Sequence, residues 1–207
     1  MGSSEPGSAA NVRPADPARA ARAVAEFLAA LGHDLDGELI GTPERVAAAW
    51  ADDLVSGYRK SPERILREGS LELGTGPHGV VVLRDVAISV VCPHHLMPSH
   101  GVATVAYAPR TLAVGLGALA EAVLALAQRL TLQEALGRKV AETVVTALDA
   151  TGALCRLDLT HTCFVARGER QVYSTLTTLA FAGTFGGPDR DLALAALAGR
   201  HDPPIGR

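Results

Sequence analysis

The sequence predicts an α+β fold: an antiparallel β-β-α-α-β-β core preceded by a run of helices. Three observations carry this expectation. Two Val-rich stretches, 80–91 and 101–108, flank a short Cys/His loop. Two helical stretches follow, at 117–129 and 131–149. Two more strand-like stretches, 153–166 and 171–182, complete the order and are joined by a turn through Gly168.

Residues 1–16 are Gly, Ser, Pro and Ala with few large apolar side chains, which predicts a disordered tail. A helix is expected over 17–31, with Val24, Phe27, Leu28 and Leu31 on one side at helical spacing. A second begins at Thr42-Pro43-Glu44 and ends near Gly57. There Thr42 can cap, Pro43 fits the first turn and Glu44 suits the positive end of the dipole. Ser61-Pro62-Glu63 repeats that start signal for a short third helix. The helical region therefore covers 17–78, the core 79–185, and a tail with a short Ala/Leu helix 186–207. Four strands leave two open sheet edges, which predicts pairing with neighbouring subunits.

At 207 residues and 48% hydrophobic content, the chain can bury one good core. Aromatic residues make up only 4%, so that core is built from Ala, Val and Leu. A net charge of −3 provides no basic field for nucleic acid. No apolar run approaches membrane-spanning length, so neither a membrane span nor a signal peptide is expected. Three cysteines make no disulfide framework, and a reducing cytoplasm is expected.

The chemistry concentrates in Cys92-Pro93-His94-His95 and His161-Thr162-Cys163. A Cys-x-x-His pair can grip one metal from a short loop. His161 and Cys163, two apart in an expected strand, share a face. The most economical assignment makes Cys92, His95 and Cys163 zinc ligands and leaves His94 and His161 free to move protons. Three protein ligands leave a tetrahedral site one position short, the mark of a catalytic rather than a structural zinc. The competing reading is that such cysteines merely fill apolar space. That reading suits Cys155, in the apolar run Ala153-Leu154-Cys155. His33, His78, His100 and His201 read as surface or loop residues, with His100 nearest the cluster.

These motifs resemble the GTP cyclohydrolase I family, zinc enzymes that open the imidazole ring of GTP on the way to folate and other pterins. The resemblance spans roughly residues 20–185. It is densest in Leu83-Arg84-Asp85, the metal loop, 101–109, Gln133-Glu134, and His161-Thr162-Cys163 with Ala166-Arg167-Gly168. It implies the T-fold (tunnelling fold), in which sheets of neighbouring subunits join into an oligomeric β-barrel, usually a decamer, with active sites at the interfaces. It implies zinc on Cys92, His95 and Cys163, and proton transfer by His94 and His161. It places Glu134 on the guanine edge, Gln133 in the same pocket, and phosphate contacts at Arg167 and at Arg45 of a neighbouring subunit. The implied reaction is water attack at C8 of a purine, protonation of a ring nitrogen by His161, and formate release. Thr131-Leu132-Gln133-Glu134 also reads as a capping box, which would give Glu134 a purely helical role.

One stretch departs from the family. Where GTP-using members carry Gly-Leu-Ser-Lys and then Arg to hold the triphosphate, this chain has Gly117, Ala118 and Glu121 at the Ser, Lys and Arg positions. Losing two charged partners and gaining a like-signed carboxylate costs roughly 4–8 kcal/mol against a polyanion. The first expectation is therefore a ring-opening zinc hydrolase preferring a guanine-type nucleoside or free base. The alternatives are an ordinary GTP cyclohydrolase I, its clamp rebuilt for example from Arg138 or Lys139, and a non-catalytic purine- or pterin-binding oligomer.

Overall fold

A computed structural model describes residues 13–74, 76, 78–184 and 187–198. Most of the expected tail, His201 and the C-terminal prolines lie outside these residues. Asp16 caps helix α1 (Pro17–Ala30) by accepting from the Arg19 amide at 2.9 Å, with proline in the first turn. Helix α2 (Thr42–Ala48) runs on as a π-helical segment, Ala49–Leu54, and a 3-10 turn, Ser56–Arg59. Its cap is Gly41 at φ 73°, not Thr42. The Thr42 hydroxyl instead takes a hydrogen bond from Arg45 Nη2 at 2.8 Å. Ser61 caps α3 (Pro62–Glu68) as the sequence predicts.

Short strands β1 (Ser70–Glu72) and β4 (Leu112–Val114) form a two-stranded sheet that the sequence reading missed. The main sheet is antiparallel, in the order β2 (Val81–Val91), β3 (Pro98–Ala108), β5 (Gly152–His161), β6 (Leu176–Gly183). Helices α4 (Leu116–Ala127) and α5 (Gln133–Leu148) stand between β4 and β5 in the chain, giving the expected core order. Ile88, Val90, Ala103, Val105, Tyr107, Cys155, Leu157 and Leu159 form one core with Leu119, Val123, Leu136 and Val144 of these helices. Cys155 is fully buried there, and burial pushes its thiol up to about 12. Helix α7 (Gly187–Ala198) sets Ala193 against Ala106, Ala108 and Leu154 in a second, smaller cluster.

Three features bear on the site. First, β5 ends at His161, not at 166, and Thr162–Val165 turn into a short helix, α6. The ladder stops because the facing strand starts at Pro98, which has no N–H to donate. The Pro98 carbonyl accepts from the Thr162 hydroxyl, and the Ala166 amide closes the turn on Thr162 at 2.9 Å. Cys163 is therefore not on a strand and does not share a strand face with His161, contrary to the expectation from their spacing. Likewise β6 starts at Leu176, not 171.

Second, β2 and β6 are the unpaired edges of the main sheet, and β2 carries an irregularity between Leu83 and Val86. Third, no residue of α1 is buried, and Phe27 and Leu31 are 63% and 60% exposed. Val24 and Leu28 are half-buried, with α1 packed on α2, so only the Phe27 and Leu31 part of the apolar stripe is left largely uncovered.

Register depends on Gly101, which faces Leu159 of β5. A Cβ there would meet the Asp158 carbonyl oxygen at 2.0 Å. Gly101→Ala is expected to destabilise the fold by roughly 1–3 kcal/mol through overpacking of paired backbone. A lowered urea midpoint checks this; an unchanged midpoint contradicts it.

Candidate active site

The loop between β2 and β3 is closed by two backbone bonds, Cys92 N to Met97 O at 3.1 Å and Leu96 N to Cys92 O at 2.9 Å. Leu96 takes φ 53° to make the turn. The loop is tied to the approach to α5 by the Val91–Leu130 bridge and by Thr131 N donating to Val91 O at 3.3 Å. The β3–β5 register sets His161 opposite Ser99. Sheet pairing and one bridge thus gather the ends of β2 and β5 and the first turn of α5.

Cys92, His95 and Cys163 bring one ligand atom each to within 4.8 Å of one another. Tetrahedral zinc with bonds of about 2.0–2.3 Å separates its ligand atoms by about 3.5–3.8 Å. Cys92 Sγ and His95 Nδ1 are 3.8 Å apart. Burial, then the adjacent Cys92, push the Cys163 thiol up, while Arg167 pulls it down. Two thiols and an imidazole converging at this spacing are the soft donors that zinc takes, so the donor set fits zinc. The loss of a shared strand face does not disperse the trio, because α6 swings Cys163 back towards the loop.

His94 is exposed, its ring edge-on to His95 with centroids 6.3 Å apart. His161 Nε2 lies 2.7 Å from Gln133 Oε1, and its Nδ1 lies 3.0 Å from Ser99 Oγ. Burial lowers the proton affinity of His161, and the Glu134 carboxylate opposes this. Glu134 is exposed in the first turn of α5. The helix cap is Leu132, without a side-chain cap bond, and the Thr131 hydroxyl donates to Leu132 O at 3.2 Å. The capping box is therefore not formed, which leaves Glu134 free of that role.

Gln133, by contrast, is 1% exposed, and its amide is engaged by protein groups at both ends. Ser99, 2% exposed, had no sequence signal; only the strand register places it beside His161. His100 points to the surface at a cleft of about 520 Å³ shared with Asp53, Ser89 and Gln128.

Of the remaining sequence-named residues, Arg167 lies close enough to Cys163 to lower its thiol, while Arg45, Ala118 and Glu121 have their own surroundings. Arg45 holds its own turn, donating to Ile40 O at 3.0 Å and to Thr42. Ala118 and Glu121 occupy the first half of α4, a helix roughly 18 Å long whose other end leads to the metal loop. Glu121 pairs with Lys60 at 3.2 Å, both side chains substantially exposed. Arg167 is exposed.

Fold and site together define an α+β protein with a three-membered Cys-His-Cys ligand group beside a hydrogen-bonded histidine, the donor set of a hydrolytic metalloprotein. A family model described as GTP cyclohydrolase I matches residues 20–196, and the chain belongs to that family. Its sheet and helix order is that of the T-fold.

A Leifsonia xyli protein named GTP cyclohydrolase 1 is 41% identical over 185 residues, covering 89% of this chain and 96% of the relative. Proteins of the same name from Synechococcus sp. (strain JA-2-3B'a(2-13)) and Bacillus subtilis are 40% and 37% identical. They cover 82% and 79% of this chain, and 73% and 85% of their own lengths. A solved archaeosine synthase QueF-Like structure, at 17% identity and TM-score 0.42, covers 55% of this chain and 100% of its own. That likeness adds nothing to the assignment. No helix among the described residues is long and apolar enough to cross a membrane.

Proposed function

We propose that this chain is a GTP cyclohydrolase, as its relatives are named, and that it opens the imidazole ring of GTP at C8 and releases that carbon as formate, as the family resemblance implies. The observation that carries this reading is the Cys92, His95 and Cys163 ligand trio assembled next to His161 and Glu134. Cys92, His95 and Cys163 would hold the zinc, which when bound supplies Lewis acidity that activates water towards an sp² carbon. Glu134 is an exposed carboxylate suited to accept both N–H donors of a guanine edge. His94 and His161 would carry the proton transfers that ring opening requires. Arg167, close enough to Cys163 to act on its thiol, offers a cation to phosphate.

The open edges of β2 and β6 and the exposed Phe27 and Leu31 support self-association, with the decamer implied by the resemblance as its size. Arg45, Ala118 and Glu121 would then serve a neighbour's site. The reducing cytoplasm suits a site that needs two thiolates.

A substrate with fewer phosphates, the first expectation from sequence, is the second reading, and Ala118 and Glu121 favour it. Two observations weigh against it. The relatives are named for GTP at 37–41% identity. Lys60 pairs with Glu121 at 3.2 Å and offsets part of the expected repulsion. Zinc-loaded protein is expected to release formate from GTP and to leave guanosine and guanine nearly untouched. Formate from the uncharged compounds alone would transfer the conclusion to the second reading, and none from any compound would make the protein a binder.

A further inference from the structure

Gln133 opens α5 in a fully buried position, and its surroundings fix which way its amide points. Nε2 lies 3.0 Å from Leu157 O, 2.9 Å from Leu176 O and 3.2 Å from Thr178 Oγ1. The two carbonyls can only accept, so the amino group must face them. A flipped amide would set its oxygen against two carbonyl oxygens with no water to relieve the repulsion. Oε1 therefore faces His161 Nε2 at 2.7 Å. Because a carbonyl oxygen only accepts, Nε2 carries the proton. A neutral imidazole has one N–H, so Nδ1 keeps a lone pair and accepts from the Ser99 hydroxyl at 3.0 Å.

We propose that Gln133 is a positioning residue that holds the neutral His161 ring as its Nε2–H tautomer, so that proton exchange at this histidine runs through Nδ1 on the Ser99 side. The proposal rests on His161 as a proton carrier in the reading above. It gives Gln133 a role different from the pocket contact implied by the resemblance, since neither end of its amide remains free for a ligand. Strand pairing sets the tautomer: the two orienting carbonyls come from β5 and β6, and Ser99 comes from β3.

The test uses zinc-loaded, full-length protein labelled with ¹⁵N-histidine, with His161 assigned by subtracting the spectrum of His161→Asn. Solid-state ¹⁵N spectra of the wild type should show protonated Nε2 and bare Nδ1 at this ring. In Gln133→Met, which keeps the side-chain length but has no carbonyl, the tautomers should mix. With GTP, kcat should fall about 10- to 100-fold with KM unchanged, the range for groups that orient a reacting residue. In Ser99→Ala, which leaves Gln133 in place, the Nε2–H tautomer should persist.

A wild-type ring protonated on Nδ1 would overturn the proposal, as would loss of the tautomer in Ser99→Ala. A Gln133→Met variant with raised KM and intact kcat would mark Gln133 as a ligand contact and also overturn it. If the wild type leaves GTP intact, the functional reading fails, while the spectra still decide the tautomer.

Discussion

Replacement of Cys92 by serine is expected to empty the metal centre and to reduce formate release by more than about 100-fold. Loss of groups that merely orient a ligand costs roughly 10- to 100-fold, so loss of a ligand exceeds that range. Among the described residues three donors converge here, and the neighbouring histidine ring, His94, stands edge-on to His95, 6.3 Å away. A serine hydroxyl keeps the size of the thiol but does not ionise near neutral pH. Elemental analysis of purified protein checks the metal directly. Cys155→Ala is the control, because Cys155 sits in the core with Val105 and Leu157 and takes no part in the trio. A Cys92→Ser protein that keeps its zinc and its activity would remove the basis for the site.

The second large effect concerns His161. Its alanine variant is expected to retain zinc but to lose about 10²- to 10⁴-fold in kcat, the usual contribution of a positioned acid–base group. Removing the ring also strands the Gln133 carbonyl and the Ser99 hydroxyl, at roughly 1–3 kcal/mol per buried polar group left unpaired. Circular dichroism and zinc content therefore accompany the rate measurement. A folded, zinc-replete His161→Ala protein with wild-type kcat would show that the proton travels elsewhere.

Much of this was legible in the sequence because it is local. Cys92 and His95 are three residues apart in one turn, and the Val-rich pair around them reads directly as a hairpin. The end of β5 was not legible. Leu157, Leu159, His161 and Cys163 alternate as a strand would, and what stops the ladder is Pro98 in another strand, sixty-odd positions away.

Position also decided Ser99 and Gln133. Ser99 is an ordinary serine until the register puts it against His161. Gln133 looks like a helix-start residue until two strands close over its amide. The cap signals at Thr42 and Thr131 failed for a similar reason: Gly41 and Leu132 took the cap positions, and the hydroxyls found other partners. β1 and β4, three residues each, are too short to leave a periodic trace.

The burial of Cys155 has one more consequence. Of three sulfhydryls, Cys155 is fully enclosed and resists ionisation most, while Cys92 and Cys163 remain partly reachable. Peroxides and other electrophiles attack thiolates, so among the cysteines Cys92 and Cys163 are the ones open to such injury. An ion seated between those two sulfurs would guard them from modification, and stripping it away would disarm and expose the molecule in one event.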